Sequence, residues 1–422
     1  MVYYEDETIR LRDMVQSGAH MITSAEIAQG WHQTIEKYGM RLRHQAEKKN
    51  IALVAAYRGA IAGYVNLYPI NLVRLKNCMR RAQSGGELTI GFFGGSITQD
   101  CAATVHENCY ACRVFRWWEE TFPGAKFHYV NAGIGGTSSH FGAARAVDDL
   151  LIYQPDFVVV DFSVNDIENE LRQETYEGVL RQILFWPSAP AVVLLNNIYY
   201  DTGYTDQDCH NRLGAWYSLP HVSVRDTIYQ RMLAGEFARE QLTADGLHPN
   251  DFGHRLIAAE ITGFLEQVRK KIDEPEVESA LPAPMTANSY EHARRLTIRE
   301  ATPVLSGFRV DSREKSGHLD CFKNGWIGQR PGDSIRFMVE CSCIAVQYRK
   351  TVRRPALSAR LVLDGSDPIL LDGNFQEDWG DCLWLEPLLH RGPYGTHTVE
   401  ITVTETEAEN PTPFYLLSLV IA

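Results

Sequence analysis

Between residues 71 and 272 the chain alternates short, largely apolar runs with stretches of helical periodicity, and this alternation restricts the fold more than any other feature. Leu88-Thr89-Ile90-Gly91-Phe92-Phe93, Phe127-His128-Tyr129-Val130-Asn131 and Phe157-Val158-Val159-Val160-Asp161-Phe162 are short enough for strands. They are also apolar enough to be buried on both faces, as central strands of a parallel sheet are. The spacing predicts helices over His106–Thr121, which carries Val114, Trp117 and Trp118, and over Asp251–Lys271, opened by Pro249. A last strand is expected at Val222-Ser223-Val224. Strands joined by helical crossovers make a three-layer α/β/α domain with a parallel sheet.

On either side the pattern changes. Asp273–Ser289 carries Pro275, Pro282 and Pro284 among acidic and small residues, so 273–296 reads as a linker. From 297 to 422 short alternating strands recur, at Ser334–Val339, Ile344–Tyr348, Ala359–Leu363 and His397–Val403, with turns at Arg330-Pro331-Gly332-Asp333 and Asp364-Gly365. That is the signature of an antiparallel β-sandwich. Residues 1–70 read as a small α+β segment: a strand, a helical stretch from Ser24 to Lys49, and a hairpin pairing Ile51–Tyr57 with Ile61–Leu67.

Chemistry concentrates where the apolar runs of 71–272 end, which is where an open α/β sheet displays functional groups. Gly94-Gly95-Ser96 follows the first run, and a Gly-Gly turn can present Ser96 at the strand's carboxyl end. A serine hydroxyl needs a base within hydrogen-bond reach to become a nucleophile. His248, in Asp245-Gly246-Leu247-His248-Pro249, is the candidate, because imidazole titrates near neutral pH and can take and return a proton. Asp245 can accept from the other ring nitrogen and fix the tautomer. Donors for an oxyanion are available from the Ser96 and Gly136 N–H groups and from the Asn165 side-chain amide. Each stretch alone is more often a turn or a cap than a catalytic element. Their occurrence together at successive strand ends points to acyl transfer. Neither Gly-x-Gly-x-x-Gly nor a P-loop follows the first strand.

These four blocks resemble those of the SGNH (GDSL-like) hydrolases, over roughly Glu87–Ile272. The resemblance implies a flavodoxin-like α/β/α domain in which Ser96 is the nucleophile, Gly136 and Asn165 are oxyanion donors, and Asp245 and His248 are the D-x-x-H pair. No cofactor and no metal are expected. There are two departures: the usual Gly-Asp-Ser is Gly94-Gly95-Ser96, and the usual Gly-x-Asn-Asp is Ser163-Val164-Asn165-Asp166. The first leaves open what supports the Ser96 loop. Separately, Ile27–Tyr68 is similar to the front half of a GNAT acyltransferase. It stops before any acetyl-CoA pyrophosphate loop, so that activity is not assigned, and the segment reads as an accessory or oligomerisation element, compatible with a homo-oligomer.

Composition narrows the partners. A net charge of −12 over 422 residues argues against a nucleic-acid backbone or an anionic membrane surface. No apolar run is long enough to span a membrane, and the first residues lack the basic and apolar regions of a secretory signal. Nine scattered cysteines fit thiols in a reducing cytoplasm. Cys109-x-x-Cys112 has no second pair to complete a zinc site.

The sandwich region carries Trp326, Tyr348, Trp379 and Trp384 near turns, with Asn374, Glu377 and Asp378 as polar neighbours. Sugar rings stack their C–H faces on such aromatics. Trp326, flanked by Asn324-Gly325 and Gly328, is expected to be exposed, and Trp326 and Trp379 are taken as candidate sugar contacts. The domain order is similar to carbohydrate esterase family 17, mannan-oligosaccharide acetylesterases carrying a domain like family 35 carbohydrate-binding modules. The resemblance implies a cytoplasmic serine O-acetyl esterase that deacetylates imported oligosaccharides, manno-oligosaccharides among them, through an acetyl-enzyme. A lysophospholipase or thioesterase of the same family, and a catalytically silent sugar-binding protein, are the competing readings.

Overall fold

The computed structural model describes residues 70–422; the strand, helix, hairpin and GNAT-like half expected within residues 1–70 fall before this region. The first domain runs α1 (Val73–Gln83), β1 (Glu87–Gly94), α2 (Ser96–Gln99), α3 (Tyr110–Thr121), β2 (Lys126–Gly133), α4 (Ser139–Asp149), β3 (Phe157–Asp161), α5 (Glu170–Leu184), β4 (Ala191–Asn196), α6 (Gln207–Trp216), β5 (His221–Ser223), α7 (Ile228–Leu233) and α8 (Asp251–Lys270). Its five strands are all parallel, in the order β2-β1-β3-β4-β5. Every residue of β3 and β4 is buried, which is why these strands read as unbroken apolar runs rather than as alternation. The order reverses between β1 and β3, and a crevice for a ligand opens at such a switch point.

The helix expected over His106–Thr121 is shorter. Residues His106–Asn108 form one 3₁₀ turn, and the α-helix begins at Tyr110 with Cys109 as its N-cap, the Cys109 sulfur accepting from the Cys112 N–H. The helix after the His248 loop starts as expected, because the Asn250 side chain caps it by accepting from the Phe252 and Gly253 N–H groups.

The second domain contains β6 (Arg294–Leu296), β7 (Val304–Ser306), β8 (Arg309–Val310), β9 (Trp326–Gly328), β10 (Ser334–Cys341), β11 (Ile344–Lys350), β12 (Ala359–Leu363), β13 (Ile369–Leu371), β14 (Cys382–Leu389), β15 (Gly395–Val403) and β16 (Phe414–Ile421). They form two antiparallel sheets, β13-β12-β15-β10-β7 and β14-β11-β16-β9-β8, with β6 added to β16. Strand β10 alternates buried and outward residues, and Ile335, Phe337 and Val339 enter a core shared with Val346, Ile401 and Leu416. The stretch read as a linker is fastened down. The Glu177 carboxylate accepts from the Met285 and Thr286 N–H groups, Glu174 accepts from Ser289 N–H, and Tyr290 is buried.

The two domains share apolar surface through α4. Its Ser139–Ala146 residues are all buried, with Ala143 and Ala146 facing the parallel sheet. Phe141 packs with Leu383, Tyr415 and Leu417, and Ala144 with Ala345 and Val420. Small residues let both sheets approach this helix. Consequently β16 is buried at every position, one face in the sandwich core and the other on α4. Arg391 pairs with Glu170 and Glu174 across the same boundary.

Candidate active site

Ser96 follows β1 at a turn whose tightness explains both glycines. A Cβ at Gly94 would lie 2.4 Å from the Asp161 carbonyl oxygen, and one at Gly95 would lie 2.2 Å from Asn165 Oδ1. A side chain at Gly94 would press on the β3 backbone, and one at Gly95 would displace the Asn165 amide. Where the usual aspartate is absent, other groups support the loop. Gly95 N–H donates to the Asp161 carbonyl oxygen at 3.2 Å, and the Arg145 guanidinium donates to the carbonyl oxygens of Gly94 (2.9 Å) and Ala132 (2.7 Å). Two residues after Ser96, the Thr98 hydroxyl donates to Asp161 Oδ2 at 3.0 Å and meets the Tyr110 hydroxyl at 2.7 Å. Asn197 donates to the same carboxylate oxygen. Burial pushes the Asp161 carboxyl up to about 7, against these hydrogen bonds.

The three residues expected to act as a relay come together. His248 Nε2 is 2.8 Å from Ser96 Oγ, and His248 Nδ1 is 2.6 Å from Asp245 Oδ2. Asp245 Oδ1 accepts from the N–H groups of Leu247 (2.9 Å) and His248 (2.8 Å) and from the Thr243 hydroxyl (3.0 Å). Partial burial raises the Asp245 pKa, but the bonds from the imidazole and the two backbone N–H groups outweigh it and hold the carboxyl well below the usual range. Asp245 is thus an anion that accepts the Nδ1 proton, leaving Nε2 as the acceptor facing Ser96.

The expected oxyanion donors lie on segments that neighbour Ser96. Asn165 lies across Gly95, and among the described residues no hydrogen bond engages its side-chain amide. Gly136 has φ +67, a backbone conformation that favours glycine. Its neighbour Gly135 is held by donating to Gln99 Oε1 at 2.7 Å, and a Cβ there would sit 3.6 Å from Ser96 Cβ. Ser96 N–H opens α2, so it has no intrahelical acceptor.

The two candidate sugar contacts part company. Trp326 is 1% exposed. It lies in β9, pairs with Leu416 of β16 and meets Phe337 edge-on at 5.2 Å, so it is a core residue of the sandwich and not a sugar contact. The glycines that suggested a loop are there for packing. A Cβ at Gly325 would strike the Leu416 carbonyl oxygen, and one at Gly328 would strike Phe308 and Val403. Tyr348 is likewise buried, stacked on Phe414, and Asn374 is used up in the turn bonds to Ala356 and Asp372. Trp379 is 58% exposed, and its Cη2 is 3.4 Å from where a Gly136 Cβ would be. The sandwich therefore lays an indole on the Gly136 turn of the other domain. Phe375 meets that ring edge-on at 4.9 Å, and its Nε1–H donates to Glu377 Oε2 at 2.5 Å. Tyr199 was not identified from sequence. Burial raises its pKa, with the Glu377 and Asp245 carboxylates adding to the shift. It sits in an irregular stretch without motif or periodicity, and the sequence held no signal for it.

Residues 92–256 match the GDSL-like lipase/acylhydrolase family. Among solved structures, the chain is similar to a two-domain esterase (CEX) active on acetylated mannans, co-crystallised with mannopentaose. The two are 45% identical over 84% of this chain and 95% of that one, with a TM-score of 0.81. A second structure of that two-domain esterase matches at 45% identity over 83% and 95%, again with a TM-score of 0.81. A search of the curated proteins finds no match.

Proposed function

The chain belongs to the GDSL-like (SGNH) hydrolase family, and from that premise we propose that it is a serine O-acetyl esterase acting on acetylated manno-oligosaccharides. The observation that carries this reading is the Ser96–His248–Asp245 relay, at 2.8 and 2.6 Å, with an indole of the second domain resting on its oxyanion turn. The similarity to an esterase active on acetylated mannans extends over both domains, which supports the same substrate class here.

In this reading Ser96 Oγ attacks the acetyl carbonyl while His248 Nε2 takes its proton. The oxyanion receives the N–H groups of Ser96 and Gly136 and the Asn165 amide, donors worth about 3 kcal/mol each in such holes. As the tetrahedral intermediate collapses, His248 returns the proton to the departing sugar oxygen. Water then attacks the acetyl-enzyme by the same route in reverse order, releasing acetate and restoring Ser96. Asp245 stays ionised throughout, orienting the imidazole and stabilising its charged form. The small acyl group needs no long apolar channel, and Trp379 offers a flat apolar face to the sugar that carries the ester.

Acetate release from acetylated mannan, xylan and chitin oligosaccharides, alongside a long-chain lysophospholipid, tests this. The highest kcat/KM is expected on the mannan series. A preference for the lysophospholipid, or no turnover of any ester, would overturn the reading.

A further inference from the structure

Asp166 follows Asn165 directly, and its side chain is completely buried. Asp166 Oδ1 accepts from the Ser139 N–H at 2.9 Å; Ser139 opens α4, three residues after Gly136. Asp166 Oδ2 is 3.1 Å from Nε2 of His210, a fully buried residue in the first turn of α6. One carboxylate thus joins the loop that carries Asn165 to the turn that carries Gly136, and His210 grips it from behind. The imidazole is fixed in turn. It stacks on Tyr176 with centroids 3.5 Å apart and planes 4° apart, and among the described residues its Nδ1 has no hydrogen-bond partner, which leaves Nε2 as the nitrogen that engages Asp166. The turn leading into α6 is tied to the same strand end, because Asp206 N–H donates to the Ser163 carbonyl oxygen at 2.7 Å. The Tyr204 hydroxyl donates to the Asp166 carbonyl oxygen at 3.1 Å.

We infer that His210 is a positioning residue for the oxyanion hole, setting through Asp166 the spacing between the Asn165 amide and the Gly136 N–H. The inference rests on the assignment of these two groups as oxyanion donors. Donors must lie within about 2.7–3.1 Å of the developing charge, and a displacement of about 1 Å can cost on the order of 100-fold in rate. His210 touches neither substrate nor Ser96, so its effect appears only through the donors.

The test is a double-mutant cycle on p-nitrophenyl acetate, too small to engage the sandwich. His210→Phe keeps a ring against Tyr176 but removes the N–H. It should lower kcat by roughly 10–100-fold with KM within about twofold. His210→Gln, which returns a donor to the Nε2 position, should recover most of that loss. In an Asn165→Ala background the effect of His210→Phe should shrink to a few-fold, since the principal donor it positions is gone. Should His210→Phe not fold, Asp166→Asn, which keeps shape but removes the charged acceptor, carries the same expectation in both backgrounds. Equal losses with and without Asn165 would make His210 a folding residue and overturn the inference alone. An unchanged kcat in Asn165→Ala would overturn the oxyanion assignment and the inference with it.

Discussion

Asp161 ends β3 with its carboxyl buried under the Ser96 turn, one oxygen accepting from Thr98 and Asn197 and the other, among the described residues, without a partner. Burial raises its pKa from 3.8 to about 7, so between these values the folded chain holds a proton that the unfolded chain has lost. The contribution to stability is full below the unfolded pKa and is lost as pH rises through the folded one. Asp161→Asn keeps an oxygen for both donors and carries no charge. Urea unfolding should therefore show the variant gaining on wild type by on the order of 2–4 kcal/mol between about pH 4.5 and pH 8. A difference that stays constant with pH would refute the account. At Asn165 the expectation is kinetic: Asn165→Ala should lose roughly 10²–10³ in kcat with little change in KM, whereas a rise in KM alone would make the amide a substrate-binding group. The meeting of Ser96, His248 and Asp245 was legible in the sequence because each lies in a short, recognisable block. Asp161, Arg145 and His210 were not, because a buried polar residue inside a strand or helix looks like any other until its partners from distant elements are known.

Among the elements, β1 and β3 were legible from their apolar runs and β10 and β15 from their alternation, whereas β4 (Ala191–Asn196) was not singled out. Strand β9 was not. Its three residues, Trp326–Gly328, are too few to show a period, and Gly325 and Gly328 resemble loop punctuation when in fact they clear space for Leu416, Phe308 and Val403. Trp326→Ala should accordingly cost about 3–5 kcal/mol of stability through the cavity it leaves. The measurement is chemical unfolding, with kcat/KM on small and large esters changing in the same proportion for the protein that remains folded. A selective loss on oligosaccharides would return Trp326 to the binding site. Helix α4 shows a related limit of sequence reading. Because both its faces are buried, its pattern is small residues all round, and nothing in that pattern reveals that the second face belongs to another domain.

The whole molecule works as one unit in this account, since the sandwich both packs on α4 and places Trp379 on Gly136. Trp379→Ala should lower kcat/KM on acetylated manno-oligosaccharides by about 10-fold, about 1.4 kcal/mol of transition-state binding, while leaving p-nitrophenyl acetate nearly untouched. Equal losses on both esters would place the indole in the support of the oxyanion turn and not in sugar recognition. The domain succession was legible from the change of period near residue 297, but the contact between domains was not, because it joins α4 to β11, β14 and β16, far away along the chain. Whether Ser96 is the nucleophile of an acetyl esterase is decided by acetate release from acetylated manno-oligosaccharide by wild type and by Ser96→Ala, with unfolding curves showing that both are folded. Wild type should release acetate rapidly, and kcat should fall on the order of 10⁴–10⁶ in the variant; activity retained above about one hundredth of wild type would move the nucleophile elsewhere.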